Sequence, residues 1–393
     1  MNPFYCYIFS FSIALAVYAL NWSTLYPKLT LPLFFFLMLT IGAHALAGHF
    51  WKSLSSGWKQ IKLSEDRNFI LVTAFIYILW TLDFIYEGGV PLFKILFGSP
   101  YNYRLFGVPS LHVFTVTFAS FYTVYLFHLY LSTRNGLVFA FYLINLAAAL
   151  LIYSRAMLIF NISSSLLLYI LTLKIIPIRF YFLTSAGLLL FFFFFGIMGT
   201  LRVSRESKKP YDNQLFLETG GATRQFRDSG IPGEFFWAYI YLSSPIANLQ
   251  ENIILTEPQP VTFQRFAEMI NSELLPDFIS KRANRIFNLP SVKEFRIPGP
   301  FNVTTLFSRA FSYLDWLGVV IMALSSLLLP WIYLKMLPED SRYFLTGIAI
   351  LCVMWGFMCY DNTIRFTGLS LQLGYPILFT WLNKFKIFNL FRG

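Results

Sequence analysis

The chain has 393 residues, of which 57% are hydrophobic and only 12% are charged. A soluble domain carries about 25% charged residues, so this composition excludes a large soluble core. It is typical of a protein whose solvent is lipid, and the 46 Phe and 23 Tyr residues suit lipid-facing surfaces and interface belts. The net charge of +11 occurs without a basic soluble domain, which argues against nucleic-acid binding.

Apolar segments recur along the chain from its N-terminus. The first has no basic residue before it and no small-residue cleavage site after it, so we expect a retained helix rather than a signal peptide. A spanning helix needs about 20 mainly apolar residues, which predicts an all-α polytopic membrane protein with about ten to twelve transmembrane helices. The candidate spans are 3–20, 29–48, 69–86, 108–131, 136–153, 157–173, 180–200, 312–334, 343–360 and 370–383.

The distribution of Lys and Arg predicts the orientation. With the N-terminus in the cytoplasm, the inner side holds Lys52, Lys59, Lys62, Arg67, Arg134, Lys174, Arg179, Lys335, Arg342, Lys384, Lys386 and Arg392. The short outer loops hold only Lys28, Lys94, Arg104, Arg155 and Arg365. Because short cytoplasmic loops are enriched in Lys and Arg, whereas long loops cross regardless of charge, we expect both termini inside. The long polar segment then lies outside, in the periplasm of a bacterium.

This long segment divides the chain into three parts. We expect N-terminal transmembrane helices over residues 1–200, a large periplasmic loop over 201–309 and C-terminal transmembrane helices over 310–393. The basic and acidic residues of the loop nearly cancel, and its many aromatic residues indicate order.

Two stretches of the loop have helical character. Glu234–Ile253 is apolar but interrupted by Ser-Ser-Pro, which predicts an interfacial or re-entrant helix. Thr262–Phe287 alternates apolar and charged residues at helical spacing, which predicts an amphipathic helix on the outer surface, bent at Pro276.

Arginines near the predicted outer surface are candidates for binding an anionic substrate. Arg155 lies between two apolar spans joined by almost no loop, and an arginine there needs an anionic partner. Its guanidinium matches phosphate oxygens in a bidentate manner, although a simple topology anchor is the alternative. Arg202 and Arg205, with Lys208 and Lys209, follow the seventh span and suit either a diphosphate or ordinary anionic lipid.

Further polar residues cluster near the same predicted surface. A glycine- and proline-rich outer loop contains Arg104, and His112 follows it in the first turns of the fourth span. His112 is either a satisfied helix residue or a catalytic base. Arg224 and Arg227 form a second basic cluster in the long loop, close to Glu234.

Three acids, Asp83, Asp315 and Asp361, map to the outer ends of predicted spans. Carboxylates at membrane depth are functional candidates by default. The alternative is a structural ion pair with one of three arginines, namely Arg155, Arg309 or Arg365.

The sequence lacks the motifs of nucleotide- and metal-dependent enzymes. It has no Walker A motif, no H-E-x-x-H and no nucleophile elbow, and no D-x-D lies in a predicted outer loop. Cys6, Cys352 and Cys359 fall in apolar segments without a C-x-x-C pair, so neither a zinc site nor a disulfide framework is predicted. We expect no metal ion and no cofactor.

Three stretches give the chain a likeness to a known family: YNYRLFGVPSLHVF at Tyr101–Phe114, YSRAMLIF at Tyr153–Phe160 and FFWAYIYLSSPIANL at Phe235–Leu249. With its tight outer hairpin and one large outer loop, the chain resembles the O-antigen polymerase (Wzy) type of oligosaccharide repeat-unit polymerase. The resemblance implies a glycosyltransferase C-like architecture in the bacterial inner membrane, with the active site facing the periplasm.

The resemblance also implies the activity and the partners. Such an enzyme polymerises repeat units of O-antigen or a similar polysaccharide by moving the growing glycan from undecaprenyl diphosphate onto a lipid-linked unit. It needs no metal, and its partners are this lipid-linked glycan, membrane lipid and a chain-length regulator protein. Outer arginines would grip the anionic substrates, and here these are Arg155, Arg202, Arg205, Arg224 and Arg227, to which we add Arg104. The chain departs from the family in one pattern, since no outer arginine is followed by glycine after ten intervening residues.

The expected reaction sets two chemical requirements. Negative charge grows on the diphosphate as the glycosidic bond breaks, and preorganised arginines stabilise it in a low-dielectric site. The acceptor hydroxyl must lose a proton to a base, for which Glu234, His112 and Asp361 are equal candidates. We expect direct displacement with inversion. Trp237 and Tyr241 either stack on sugar rings or anchor the chain at the interface.

Three other functions remain open. An O-antigen ligase would move finished glycan onto lipid A core, with the same type of chemistry. A polysaccharide transporter or flippase is a second alternative, although transporters often show repeated halves and the chain has no internal repeat. A non-catalytic membrane assembly subunit is the third.

Overall fold

The computed structural model describes residues 1–55, 58, 62–64, 68–97, 106–173, 177–206, 210–290, 292–299 and 301–384. Within these ranges it does not describe the side chains of residues 202, 205, 206 and 384. All regular secondary structure in the described part is helical.

The helices fall into three groups along the chain. The first group is α1 (Pro3–Tyr18), α2 (Leu31–Ser55), α3 (Phe69–Tyr86), α4 (Pro91–Leu96), α5 (Leu111–Thr133), α6 (Gly136–Leu151), α7 (Arg155–Thr172) and α8 (Ile178–Glu206). The second is α9 (Asn213–Thr219), α10 (Arg224–Arg227), α11 (Phe235–Leu255), α12 (Phe263–Met269) and α13 (Asp277–Phe287). The third is α14 (Ser308–Met336), α15 (Phe344–Phe357), α16 (Thr367–Ser370) and α17 (Gly374–Lys384).

Nine of the predicted spans coincide with apolar helices. In the described part of the chain, six helices are long and apolar enough to cross a membrane, namely α2, α3, α5, α7, α8 and α14. Helices α1, α6 and α15 are apolar but shorter. The prediction of an all-helical fold is therefore confirmed for the described residues, and the long apolar helices are compatible with a polytopic membrane protein. The tenth span, 370–383, is a broken segment in which a short 3-10 turn precedes α17.

The outer end of the bundle is the end at which residues 19–30 connect α1 to α2. Helix α11 lies across this end, because its contacts follow that connection. The Tyr239 hydroxyl accepts a hydrogen bond from the Trp22 N–H at 3.0 Å. Three turns later, the Gln250 side chain accepts one from the Thr30 N–H at 2.8 Å.

The last turns of α11 contact the same end of the bundle. The Asn252 side chain donates to the carbonyl of Ser308, which begins α14, at 2.7 Å. Both halves of α11 thus meet the outer end, which agrees with the interfacial form of the predicted helix. The helix continues through Pro245 and does not break at Ser-Ser-Pro.

The inner end is the opposite end, where both termini of the described chain lie. Trp51 at the end of α2 donates to the carbonyl of Met1 at 3.0 Å. In α17, the hydroxyl of Thr380 contacts that of Ser341, in the α14–α15 connection, at 2.5 Å. The prediction that the two termini lie on one side is consistent with this arrangement.

Helix α8 depends on glycines for its contact with the bundle. It packs mainly on α11, and most of its other surface is exposed apolar residues. A Cβ on Gly196 would lie 2.1 Å from the backbone oxygen of Glu234, and one on Gly199 would lie 2.5 Å from the Trp237 ring. Only glycine at these positions permits the observed distance between the two helices.

We predict that Gly196→Ala lowers the free energy of unfolding by about 1–3 kcal/mol, because the new methyl group forces α8 away from α11. Gly187→Ala on the same helix is the matched control, since a Cβ there meets nothing within 4 Å. Thermal unfolding of the purified variants in detergent measures both effects. Equal stability of the two variants would contradict the close packing of α8 on α11.

Candidate functional site

The amphipathic segment of the long loop forms a bent unit at the outer end. Helix α12 widens into a π-helical turn over Ile270–Leu274, and α13 begins after Pro276. The residue before a proline is biased away from the helical region, and Leu275 is accordingly extended, so the chain turns here. The predicted bend at Pro276 is confirmed. π-Helical turns occur frequently at functional sites because the extra residue redirects side chains.

The π-helical turn directs the Glu273 carboxylate into the protein, where it is fully buried. One carboxylate oxygen lies 3.2 Å from the Arg309 guanidinium Nε at the start of α14. The other accepts a hydrogen bond from the Asn362 side chain at 3.0 Å, after the end of α15. Burial raises the pKa of Glu273 to about 7, although Arg309, Arg365 and Asn362 oppose the shift. This carboxylate joins the loop to two membrane helices.

Asp277 forms a second ionic contact with the same region. Its carboxylate lies 2.6 Å from the Arg365 guanidinium, and its backbone N–H donates to the Arg365 carbonyl at 2.8 Å. Burial alone would raise the pKa of Asp277, but Arg365 and Lys281 outweigh it and lower the pKa. The next residue, Phe278, donates its N–H to the Thr367 hydroxyl at 2.9 Å. The first turn of α13 is thus held on the α15–α16 connection.

Asp361 lies at the edge of this ionic network. Its side chain is exposed at the surface, yet the surrounding protein desolvates it and raises its pKa. The Asn362 N–H, which donates to the carboxylate at 2.7 Å, and Arg365 oppose the shift, whereas Glu294 and Asp277 increase it. Asp361 is therefore accessible to a ligand and more basic than an ordinary aspartate.

A polar cavity of about 460 Å³ lies beside this network, in the size range of small-molecule sites. Its walls are formed by helix α12, the last turn of α11, the first turns of α14, and residues 290 and 292–295. Its polar lining residues are Thr256, Glu257, Gln259, Thr262, Gln264, Arg265, Glu268, Lys293 and Ser312.

Several polar groups of the cavity are already oriented. The buried Glu268 carboxylate accepts from the Gln264 amide at 2.9 Å, and Gln259 accepts from one Arg265 guanidinium nitrogen at 3.0 Å. The other terminal guanidinium nitrogen of Arg265 is buried and has no hydrogen-bond partner in the described part of the chain. Lys293 places its ammonium 4.5 Å from the centre of the Phe295 ring. Cationic hydrogen-bond donors and anionic acceptors therefore line the same cavity.

Two buried asparagines of α11 fix the wall that carries Lys293 and Phe295. Asn252 accepts a hydrogen bond from the Phe295 N–H at 2.8 Å. Asn248 accepts from the Ile297 N–H at 2.9 Å and donates to the carbonyl of Val303 at 2.8 Å. This segment has no regular secondary structure, and the two asparagine side chains supply the hydrogen bonds that a neighbouring strand would otherwise give its backbone.

The structure gives His112 a structural partner. Its Nδ1 lies 2.8 Å from the fully buried Asp83 carboxylate, which also accepts from the Val108 N–H at 2.9 Å. A Cβ on Gly107 would lie 2.6 Å from the imidazole, so this loop packs closely against one side of the ring. Asp83 pairs with His112 and not with one of the arginines proposed as its partner.

Glu234 is fixed near the start of α11. Its carboxylate accepts from the Asn213 amide at 2.7 Å and the Tyr211 hydroxyl at 3.0 Å. Burial alone would raise its pKa, but Asn213, the backbone and Tyr211 together lower it. Trp237, one turn later, stacks face to face on Phe216 at 3.6 Å between ring centres and donates to Thr200.

The remaining predicted binding residues are spread over the outer end. Arg155 begins α7, is exposed and has no hydrogen bond or ion pair in the described part of the chain. Arg227 donates to the Ala222 carbonyl and to Gln214, both at 3.1 Å, whereas Arg224 is exposed. Tyr241 is 41% exposed, with its ring edge against Phe195. Arg104 lies outside the described residues, as do the side chains of Arg202 and Arg205.

Contacts of neighbouring aromatic residues locate three of these arginines. Phe160, on the second turn of α7, contacts both Phe357 and Phe366, so Arg155 lies at the same end as the Asp361–Arg365 connection. Arg224 and Arg227 instead lie beside the α1–α2 connection, where Phe226 contacts Trp22.

The acids therefore differ in their surroundings. Asp315 adopts a left-handed φ of 53° at a kink in α14 and accepts from the neighbouring Trp316 N–H at 2.7 Å. Arg309 and Arg365 pair with Glu273 and Asp277, so in the described part of the chain neither forms an ion pair with Asp83, Asp315 or Asp361. Likewise, the described residues contain no cluster of three or more His, Cys, Asp or Glu side chains able to hold a metal ion.

Sequence reasoning missed Glu273 and the adjoining cavity. Glu273 was one of several charges on an amphipathic pattern, where solvent exposure is the ordinary expectation. The signal that could have found it is its position three residues before Pro276, on the turn where the helical pattern must break. In comparisons with known proteins, no family model, curated protein or solved structure matches the chain.

Glu273→Gln tests the buried carboxylate. Because the pKa of Glu273 is raised from 4.5 to about 7, the folded state holds a proton that the unfolded state releases. Its contribution to stability is fully present below pH 4.5 and is lost as the pH rises through about 7. We predict that Glu273→Gln removes this loss, on the order of 3 kcal/mol between pH 4.5 and 8. Thermal unfolding across this range measures it.

Glu218→Gln, an exposed change on α9, is the control and should follow the pH dependence of the wild type. Parallel stability curves for Glu273→Gln and the wild type would contradict a raised pKa at this position.

Proposed function

We propose that the chain is a glycosyltransferase of the O-antigen polymerase type, embedded in the bacterial inner membrane with its outer end in the periplasm. It transfers a growing glycan from undecaprenyl diphosphate to the next lipid-linked repeat unit. The observation that carries this proposal is the polar cavity at the outer end, together with an exposed aspartate, Asp361, at the same end of the bundle. A lipid-linked substrate presents its sugars at this level of the membrane.

The cavity suits the glycan of the acceptor. Sugar hydroxyls both donate and accept hydrogen bonds, and the cavity offers carboxylates, side-chain amides, threonine hydroxyls and two cations. The Glu268 carboxylate and the Gln259 amide are oriented before a ligand binds, which lowers the entropic cost of recognition. The Arg265 nitrogen that lacks a partner gains one when a sugar oxygen occupies the cavity.

Asp361 is the base that we propose among the three candidates. The pKa of Glu234 is lowered, and two side chains already bind one of its oxygens. The His112 side chain is only 22% exposed, with the Phe106 ring packed against it. Asp361 is exposed, and desolvation raises its pKa, which makes it a stronger base than an ordinary aspartate. Glu273 is fully buried and acts as a positioning residue that holds Arg309 and Asn362.

Arg155 is the residue that we propose to bind the donor diphosphate. Its guanidinium is exposed and has no partner among the described residues, and it lies at the N-terminus of α7, where backbone N–H groups favour an anion. Arg155 lies at the same end of the bundle as Asp361. This position is compatible with the two side chains contacting the same bound pair of donor and acceptor substrates. The exposed Arg224 lies farther along the outer surface, beside the α1–α2 connection.

The reaction then follows a single displacement. The acceptor hydroxyl oxygen attacks the anomeric carbon of the donor and forms the new glycosidic bond with inversion. The bond from that carbon to the diphosphate oxygen breaks, and its electron pair remains on undecaprenyl diphosphate, whose charge Arg155 stabilises. The hydroxyl proton passes to the Asp361 carboxylate, which later releases it to water.

We predict that purified wild-type protein converts a defined lipid-linked repeat unit, supplied alone, into a ladder of polymers. Gel electrophoresis of the reaction products measures the ladder. A ligase would need lipid A core as acceptor and would give no ladder. Absence of polymer from well-folded protein with several different repeat units would contradict the proposal.

Within that assay, Asp361→Asn should lower the initial rate about 100-fold or more, since the amide cannot take the proton. Arg155→Gln should lower it by a similar factor through loss of charge stabilisation. The matched controls are Asp340→Asn and Arg179→Gln, which change exposed residues at the inner end and should keep wild-type rates. For the wild type, the rate should fall as the pH drops and Asp361 becomes protonated. Equal rates for site and control variants would exclude the assigned roles.

A further inference from the structure

A second cavity lies at the inner end of the bundle, far from the site described above. It has a volume of about 330 Å³ and lies among the last turns of α5 and α7 and the start of α15. Lys62 and Arg134 line it, and the described lining residues include no acid. Neither cation has an ion pair in the described part of the chain. The cavity therefore favours an anion.

Leucines form an apolar wall in another part of this inner cavity. Leu131, Leu168 and Leu345 are buried there, and Leu171 is partly exposed. A small hydrated anion would contact the cations but would leave this wall without a partner. A molecule with a charged head and an apolar body satisfies both surfaces at once.

Two hydroxyl-bearing residues that also line this cavity favour a head group that carries hydroxyls. Ser132 and Thr172 donate their hydroxyl protons to the carbonyls of His128 and Tyr169, at 2.9 and 2.7 Å. Their oxygen lone pairs therefore remain as acceptors that face the cavity lining. Glycerol hydroxyls of a phospholipid head group can donate to them.

The backbone at Arg134 shows how the cation is placed. Arg134 ends α5 in the left-handed region with φ at 55°, a conformation that arginine rarely adopts. Its N–H bonds to the Tyr130 carbonyl, and its guanidinium lies 5.9 Å from the centre of the Tyr130 ring. The chain thus turns sharply at this point and leaves the guanidinium at the rim of the cavity.

We propose that the inner cavity binds an anionic phospholipid, with the phosphate between Lys62 and Arg134 and the start of an acyl chain along the leucine wall. Basic pockets between membrane helices bind anionic head groups in this way. The three helices that form the cavity are α5, α7 and α15, whose opposite ends carry His112, Arg155 and the Asp361 connection. The lipid therefore stabilises the helices that build the outer site.

Thermal unfolding in a neutral detergent tests this proposal without any glycan substrate. Added phosphatidylglycerol should raise the Tm of the wild type by several degrees more than phosphatidylcholine does. The double variant Lys62→Gln/Arg134→Asn should lose at least half of this difference, and asparagine tolerates the left-handed backbone at residue 134. The control Lys52→Gln/Lys335→Gln removes two inner-end charges outside the cavity and should respond like the wild type.

Three outcomes would overturn the proposal. The first is an equal phosphatidylglycerol response in the cavity variant and the control. The second is a full wild-type response to inorganic phosphate alone, which would identify a soluble anion as the ligand. The third uses the variant Lys62→Arg/Arg134→Lys, which keeps both charges. This variant also tests the proposal if the neutral variant fails to fold. Loss of the response in this charge-preserving variant would contradict recognition by charge.

Discussion

The ionic contact between the buried Glu273 carboxylate and Arg309 is the constraint on which the outer site depends. Glu273 belongs to the long loop, Arg309 begins α14, and Asn362 follows α15, so one side chain holds three separate parts of the chain together. Removing a carboxylate from water is costly, and the raised pKa of Glu273 reflects that cost. A buried ionic contact of this kind can fix a local geometry. Here the contact between Glu273 and Arg309 fixes the π-helical turn and the start of α13. Removing one partner of such a pair leaves the other as an uncompensated buried group. It therefore lowers stability more than replacing both partners does.

The outer loop is best understood as a layer of helices attached to the membrane bundle by polar side chains. Helix α11 lies across the outer end, and its asparagines bind the backbone of an extended segment that would otherwise have no hydrogen-bond partners. Helix α12 packs beside this segment, and the polar cavity lies between α12, the end of α11 and the extended segment. Since the inner end carries a basic and apolar cavity instead, the two ends of the bundle present different chemistry to the two sides of a membrane. This asymmetry agrees with the proposed placement of the chemistry at the outer end.

Much of this architecture could be predicted from local sequence patterns. Hydrophobic runs located the membrane helices, the short YSRAM stretch placed Arg155 at a tight hairpin, and Pro276 marked a bend. The long-range contacts could not be predicted, because they depend on which helices meet. His112 has Asp83 as its partner from a different helix, and the face of Trp237 is covered by Phe216. Glu273 occurs in a pattern that favours exposure, and only the π-helical turn directs it inward. Local sequence patterns therefore located the helices and the bend, but not the buried position of Glu273.

Photo-crosslinking tests most directly whether the outer cavity binds a lipid-linked glycan. A repeat unit on undecaprenyl diphosphate, with a diazirine on its terminal sugar, is irradiated with the purified protein, and the adducts are mapped by mass spectrometry. We expect adducts in residues 255–268 and 292–295. An excess of unlabelled substrate should abolish these adducts. The variant Glu273→Gln should reduce them, because loss of the contact with Arg309 loosens the wall of the cavity. Adducts confined to the inner end, or outer adducts that unlabelled substrate does not displace, would contradict this expectation.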